Sequence, residues 1–197
     1  MLYFKRKYFD DLGKKIGLKF SKLSISPNQW SLLGLFLVLI SFYFLINQNF
    51  LISGIIFIFA ASIDMIDGAV ARATKKASVF GAYIDTVVDR IVEFVIILGL
   101  FLNQYPDFIF PVKLWIFLLL FSSMMVTYTK SAASEKKLVK REMEGGGLLE
   151  HPDRMLLILA IILVSSFSLL YASFLIVITT FLVATTAFQR FLRAIKR

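Results

Sequence analysis

The sequence predicts an all-α integral membrane protein, with six transmembrane helices and an N-terminal amphipathic helix on the membrane surface. Hydrophobic residues make up 58% of the 197 positions and charged residues only 18%, with a mean hydropathy of +0.79. A soluble domain is closer to roughly half apolar and a quarter charged. The excess therefore excludes a soluble enzyme and indicates long membrane-spanning segments.

The cysteine content and the net charge limit the kinds of functional site and partner that the protein can have. The chain contains no cysteine, which excludes disulfide bonds, thiolate metal sites and a cysteine nucleophile. Its net charge is +9, with 22 lysines and arginines against 13 acidic residues. In a membrane protein such an excess reports topology and contact with anionic lipid. We therefore expect membrane lipid as a partner, and no nucleic acid.

Residues 1–25 are predicted to form the surface helix. Apolar side chains recur there at helical spacing, and lysines occupy much of the remaining surface. A helix of this kind lies in the membrane interface with its apolar face toward the lipid. The apolar positions are Phe9, Leu12, Ile16, Phe20 and Leu23.

Six spans are predicted in residues 27–195, and the whole chain, 1–197, is expected to form a single membrane domain. Pro27 suits the first turn of the first helix. The last apolar run, residues 155–188, is too long for one span of about 20 residues and is split near residues 171–173. The four earlier spans are predicted at residues 27–47, 50–74, 80–102 and 111–134.

The placement of basic residues supports six spans. With this number, the N-terminal helix, two basic loops and the C-terminal tail all fall on one side of the membrane. Lys113 is the one basic residue assigned to the other side. The positive-inside rule makes the basic side cytoplasmic. Both termini are therefore predicted in the cytoplasm, with the protein in the cell membrane.

Five carboxylates fall within the second and third spans, where an ionised acid costs roughly 2.5–3.5 kcal/mol. Asp64 and Asp67 are three residues apart and share one side of a helix. Asp85, Asp89 and Glu93 recur every four residues along one stripe. Because a short loop joins the two antiparallel spans, we expect the four aspartates at similar depths. Their charges repel, and oxygen ligands suit one or two Mg²⁺, Mn²⁺ or Ca²⁺ ions.

Ion pairing and transport are the alternatives to a metal centre for these acids. Structural pairing with Arg72 and Arg90 is insufficient, because two arginines cannot neutralise five acids. A divalent cation or proton transporter also needs acids inside the membrane. Against a transporter, the acids all lie toward one face, and only Glu93 extends the polar path. Glu93 itself is expected to pair with Arg90 or with a basic residue on the fourth span.

The acids belong to a longer pattern that resembles the signature of the CDP-alcohol phosphotransferase family at eight positions. The resemblance implies that an alcohol attacks the β-phosphorus of a CDP-linked lipid or alcohol, and that CMP leaves. It also implies a homodimer with a cytoplasmic site in which the four aspartates hold two Mg²⁺ or Mn²⁺ ions and Asp89 acts as general base. The pattern reads Asp64-x2-Asp67-Gly68-x2-Ala71-Arg72-x8-Gly81-x3-Asp85-x3-Asp89.

The resemblance further implies which residues contact the CDP moiety of the lipid donor. Four of them come from the first part of the signature and its flanks, and one from the start of the first span. They are Asn28, Asp64, Gly68, Arg72 and Ser78.

The acceptor is predicted from basic residues outside the signature. Lys130, Arg154 and Arg190 lie at predicted cytoplasmic helix ends and could form an anion pocket for a phosphorylated alcohol. Topology alone also places basic residues there. The segment 145–154 and the Gln189-Arg190 pair resemble the phosphatidylinositol-phosphate and archaetidylinositol-phosphate synthase branch, which implies myo-inositol 1-phosphate. The alternatives within the family are glycerol 3-phosphate or another alcohol as acceptor, or CDP-inositol as donor.

The predicted acceptor segment contains two features without an assigned chemical role. His151 is the only histidine, and we expect it to be a solvated loop residue. With Pro152 it departs from the Arg-Ala expected from the branch. The triple glycine at residues 145–147 is expected to be a hinge, because no phosphate-loop pattern follows it.

Overall fold

The computed structural model describes residues 27–73, 78–138 and 147–195. Over these ranges the chain forms α-helices and no strand, which confirms the all-α prediction for the described part. The predicted surface helix of residues 1–25 lies outside it. The helices are α1 (Pro27–Ile46), α2 (Phe50–Ala73), α3 (Val79–Leu102), α4 (Val112–Glu135), α5 (His151–Ser165) and α6 (Leu169–Ile195).

The boundaries of the first four helices follow the predicted spans closely, whereas those of the last two helices differ. The first four helices begin and end within one residue of the predicted limits. The predicted break near residues 171–173 is wrong, because the turn lies at residues 166–168. There the Ser166 hydroxyl donates to the Leu163 carbonyl oxygen over 2.6 Å, and the Ser168 N–H donates to the Val164 carbonyl oxygen over 2.9 Å. These bonds satisfy the last carbonyls of α5 and end it.

Two of the described helices, α4 and α6, are long and apolar enough to cross a membrane. Shorter apolar stretches occupy Leu32–Ile46 of α1 and Phe50–Ile63 of α2. Helix α3 carries four charged residues in its middle turns, which lowers its apolar character. The count of six spans therefore remains a prediction.

The chain divides into two compact units, of which the first comprises Met1–Tyr43 and Ile52–Val95. Within it, α1 and α2 are joined by buried serines: the Ser41 hydroxyl donates to the Ser53 carbonyl oxygen over 2.9 Å. Gly34 lies against the same partner helix, since a Cβ there would be 3.8 Å from the Ala60 carbonyl oxygen. Small side chains thus line the contact between the two helices.

The second unit comprises Phe44–Leu51 and Ile96–Arg197. Its core lies along α4, α5 and α6. A buried hydrogen bond from the Thr180 hydroxyl to the Trp115 carbonyl oxygen, 3.2 Å long, ties α6 to α4. Apolar side chains fill the interior between these helices, among them Ile116, Leu119, Val126, Ile158, Ile161, Ile162, Ile176 and Val183.

Candidate active site

Two signature carboxylates lie on the first half of α3. Asp85 and Asp89 are one helical turn apart and therefore share a face. Asp85 is exposed and Asp89 is half-buried. The Asp89 carboxylate lies 3.7 Å from Nη2 of the neighbouring Arg90. This face of α3 thus presents accessible carboxylate oxygens, as a hard cation requires.

Ser78, which is predicted to contact CDP, stands at the start of α3. Its hydroxyl oxygen accepts a hydrogen bond from the Gly81 N–H over 2.9 Å, and its carbonyl oxygen accepts one from the Ala82 N–H over 3.0 Å. This is the N-cap arrangement, in which a side chain satisfies one of the unpaired N–H groups of the first turn. The Ser78 O–H remains a donor that can be offered to a phosphate oxygen.

Glu93 continues the acidic stripe but has a structural partner. Its side chain is 0% exposed and forms an ion pair with Arg90, three residues earlier on α3. This confirms Arg90 as a partner of Glu93. A carboxylate buried in this way is tolerated only when a cation pairs with it. Arg90 therefore lies between Asp89 and Glu93, and Glu93 fixes its position.

The remaining signature residues lie on α2, whose backbone is described through Ala73. Asp64 and Asp67 are three positions apart on this continuous helix. The side chains of Asp64, Asp67, Gly68 and Arg72 fall outside the described part, as does that of Asn28 on α1.

Part of the predicted metal centre belongs to the described residues. Among the described side chains, no three or more histidines or acids gather as ligands. Two of the four predicted ligands, Asp85 and Asp89, belong to the described part and offer only oxygen donors. That donor set fits Mg²⁺ or Mn²⁺ and does not fit a soft metal. The full set of four ligands stays a prediction.

The basic residues of the predicted acceptor pocket belong to the second unit. Arg154 lies in the first turn of α5 with its side chain only 2% exposed, and Arg190 is half-buried near the end of α6. Arg190 Nη1 donates to the Val126 carbonyl oxygen on α4 over 2.9 Å. Lys130 lies one turn beyond Val126 on α4 and is exposed.

The acid-x-x-acid-Arg segment forms the capped start of α5. Glu150 is the N-cap residue, and its backbone N–H donates to the Asp153 carboxylate over 2.8 Å in a reciprocal capping box. Arg154 follows directly in the first turn. Glu150 and Asp153 thus carry out a local structural task, and the basic member of the segment, Arg154, is its candidate for binding an anion.

Residues 147–149 are attached to α6 by two backbone-to-side-chain hydrogen bonds. The Leu148 N–H donates to Gln189 Oε1 over 3.1 Å, and the Leu149 N–H donates to the Thr186 hydroxyl oxygen over 3.2 Å. The sequence pattern includes Gln189 without assigning it a role, and it gives no signal at all for Thr186. This attachment places the start of α5 beside the helix that carries Arg190.

The prediction for His151 is wrong. His151 is the first residue of α5 and is half-buried, with Nδ1 3.5 Å from Nη2 of Arg154. The sequence suggested a loop because glycines and Pro152 surround it. Pro152 instead occupies the first turn of the helix, where proline needs no hydrogen-bond donor.

Known proteins share this fold. The crystal structure of the phosphatidylinositol phosphate synthase of Mycobacterium tuberculosis with CDP-DAG bound superposes with a TM-score of 0.78 at 21% sequence identity. The match covers 93% of this chain and 94% of that one. The same synthase in complex with manganese and citrate gives a TM-score of 0.78 at 23% identity, over 92% of this chain and 88% of that one. At these identities the likeness establishes the fold.

Sequence comparison establishes the class of protein. An archaetidylinositol phosphate synthase of Pyrococcus horikoshii is 33% identical over 150 residues, which cover 74% of this chain and 73% of that protein. The family model for CDP-alcohol phosphatidyltransferase matches residues 24–189. The fold and these matches define a transferase, which sets aside the cation-transporter alternative. The chain belongs to the CDP-alcohol phosphatidyltransferase family.

Proposed function

We propose that the chain transfers a phosphatidyl-type group from a CDP-linked lipid to the hydroxyl of myo-inositol 1-phosphate and releases CMP. The observation that carries the proposal is the burial of Arg154. Topology asks only for basic residues near the cytoplasmic surface and gives no reason to bury one. A guanidinium that is 2% exposed suits a site for a dianionic phosphate, which it can bind through paired donors.

The other basic residues support the same acceptor to different degrees. Arg190 is half-buried and held by the Val126 carbonyl oxygen, so its orientation is fixed before any ligand arrives. Lys130 is exposed, as membrane topology alone predicts, and gives the least support to a phosphorylated acceptor. The Pyrococcus horikoshii relative is named for an inositol phosphate product, which agrees with a phosphorylated inositol as acceptor.

In the proposed reaction Asp89 acts as general base. It takes the proton of the acceptor hydroxyl while that oxygen forms a bond to the β-phosphorus of the CDP-lipid. The bond from that phosphorus to the bridging oxygen of CMP breaks, and CMP leaves with the electron pair. Glu93 fixes Arg90 beside Asp89, which keeps the base carboxylate oriented.

The donor is proposed to bind through the signature. Ser78, at the N-terminus of α3, offers its O–H and the partial positive charge of the helix end to a phosphate oxygen. Asn28, Gly68 and Arg72 complete the contacts to the CDP moiety, together with Asp64. When bound, two Mg²⁺ or Mn²⁺ ions would neutralise charge on the reacting phosphates. The carboxylates proposed to hold them are Asp64, Asp67, Asp85 and Asp89.

The membrane arrangement is part of the proposal. Residues 1–197 form one membrane domain, with a surface helix over 1–25 and six spans over 27–195, and function as a homodimer. Both termini and the site face the cytoplasm. The apolar lengths of α4 and α6 and the one-sided placement of basic residues support this arrangement.

A CMP-release assay tests the proposal. Purified protein in lipid is given a CDP-lipid, Mg²⁺ or Mn²⁺, and either myo-inositol 1-phosphate, glycerol 3-phosphate or free inositol. At low acceptor concentration, we expect CMP release only with myo-inositol 1-phosphate. CMP release with glycerol 3-phosphate instead would assign the protein to another branch of the family. Activity with CDP-inositol in the absence of a CDP-lipid would refute the proposed donor. No release with any pair would refute the activity.

A further inference from the structure

Gly147 lies closer to α6 than a residue with a Cβ atom could lie without displacing its neighbours. A Cβ atom at this position would lie 2.6 Å from Thr186 Cγ2 and 3.3 Å from Arg190 Nε. Its φ lies outside the left-handed region, so the glycine is required for space and not for backbone freedom. The expected hinge role is therefore replaced, at Gly147, by close packing against the helix that carries Arg190.

The backbone after Gly147 is held in the same place by two hydrogen bonds. Gln189 accepts from the Leu148 N–H and Thr186 accepts from the Leu149 N–H, at 3.1 Å and 3.2 Å. On its other side, the Arg190 guanidinium donates to the Val126 carbonyl oxygen. Arg190 is therefore confined between the α4 backbone and the backbone at residue 147.

We propose that Gly147, with Thr186 and Gln189, positions the Arg190 guanidinium and the first turn of α5 for the phosphate of the acceptor. The inference rests on the proposed function, because it assigns these residues to the acceptor side of that reaction. Gly147, Thr186 and Gln189 do not touch the acceptor themselves. They determine where the arginines stand.

The cost of disturbing this contact follows from the distances. An ordinary contact begins near 3.4 Å, so the Gly147→Ala methyl group would force a movement of about 0.8 Å. If the backbone retreats, the hydrogen bonds of Leu148 and Leu149 lengthen to about 4 Å and are lost. If α6 yields, Arg190 is displaced. Either response misplaces a phosphate-binding group, and a misplacement near 1 Å can cost up to about 100-fold.

The test is a rescue experiment in the full-length protein. We expect Gly147→Ala to raise the KM for myo-inositol 1-phosphate about tenfold or more, while the KM for CDP-lipid and kcat stay within about twofold. Adding Thr186→Ser removes the methyl group that clashes and keeps the hydroxyl that accepts from Leu149. The double variant should recover most of the acceptor KM. Gly34→Ala is the matched control, since a Cβ there would be 3.7 Å from its nearest atom.

Several results would overturn the positioning role. An unchanged acceptor KM in Gly147→Ala would do so, as would no recovery in the double variant. If Gly147→Ala does not fold, Thr186→Val replaces it, because it removes the acceptor of the Leu149 N–H. The other hydrogen bond of that hydroxyl, to the Leu182 carbonyl oxygen, is local to α6. An unchanged acceptor KM in that variant is equally decisive against the proposal.

Different outcomes test this inference and the proposed function. A wild-type protein that releases CMP, together with insensitive variants, refutes only the positioning role. A wild-type protein that is inert with every acceptor refutes the proposed function. In that case, stabilisation by inorganic phosphate is compared between wild type and Gly147→Ala by thermal melting. An equal shift in melting temperature would then refute the positioning role as well.

Discussion

Replacing Arg154 is the most direct test of the acceptor site. Its side chain is 2% exposed, so bulk water does not substitute for it when it is removed. A hydrogen bond to a charged group contributes about 1.5–3 kcal/mol net, and each 1.4 kcal/mol is roughly a factor of ten in affinity. We therefore expect Arg154→Ala to raise the KM for myo-inositol 1-phosphate about 10- to 100-fold, with a much smaller effect on the KM for CDP-lipid.

The assay is the initial rate of CMP release at saturating CDP-lipid and varied acceptor. Arg154→Lys keeps the charge but loses the paired donors, so its KM should lie between wild type and Arg154→Ala. Arg193→Ala is the matched control, because Arg193 is an exposed arginine in the last turn of α6, near Arg190. It should leave both KM values unchanged.

Two results would refute this reasoning. If Arg154→Ala folds and its KM for the acceptor is unchanged, Arg154 serves only to set the orientation of the protein in the membrane. An equal rise in KM for Arg193→Ala would show that net positive charge near the membrane, and not a built pocket, attracts the acceptor. Thermal melting of each variant distinguishes lost binding from lost fold.

Further predictions concern the catalytic and structural residues of α3. Asp89→Asn should abolish CMP release and retain CDP-lipid binding; an active variant would reassign the base. Chelation of divalent cations by EDTA should stop turnover, and Mn²⁺ or Mg²⁺ should restore it; persistent activity in EDTA would exclude the metal centre. Glu93→Gln should destabilise the protein by about 1–3 kcal/mol, because Arg90 loses its buried carboxylate partner while the Asp89 carboxylate remains 3.7 Å away. Adding Arg90→Met should recover part of the lost stability, as measured by thermal melting. If neither change alters the melting temperature, the ion pair does not stabilise the protein. Ser78→Ala should cost about 1 kcal/mol through loss of the α3 cap, and Ser78→Asp should keep that stability; equal melting temperatures would show that the cap is dispensable.

Most of the fold was predictable because the apolar segments are bounded by abrupt changes in composition. The ends of α1 through α4 coincide with prolines, polar turns or charges, so their limits agree with prediction to within one residue. The turn between α5 and α6 was missed because its polar residues, Ser166 and Ser168, are small and sit in an otherwise apolar run. Serine is common inside such helices, so its role as a helix stop depends on bonds that composition does not reveal.

The placement of the two described site carboxylates was also predictable, since acids in an apolar segment are costly and their spacing is local. Asp85 and Asp89 share a face of α3 by helical periodicity alone. The pairing of Glu93 with Arg90 was one of the two predicted options, because the residues are three apart on one helix, and the structure contains it.

The acceptor side of the candidate site depends on contacts that no local pattern encodes. The hydrogen bonds from Leu148 and Leu149 to α6 join residues 41 and 37 positions apart. Thr186 illustrates the difficulty: its hydroxyl donates to the Leu182 carbonyl oxygen over 2.8 Å, as the Thr180 hydroxyl does to that of Ile176. Both threonines therefore satisfy the same local rule for a hydroxyl in an apolar helix. Only the backbone that each contacts in space distinguishes them, the Trp115 carbonyl oxygen in the core for Thr180 and the Leu149 N–H for Thr186. The sequence alone therefore does not predict the contact between Gly147 and Thr186. At this contact, the addition of a single methyl group should alter acceptor binding.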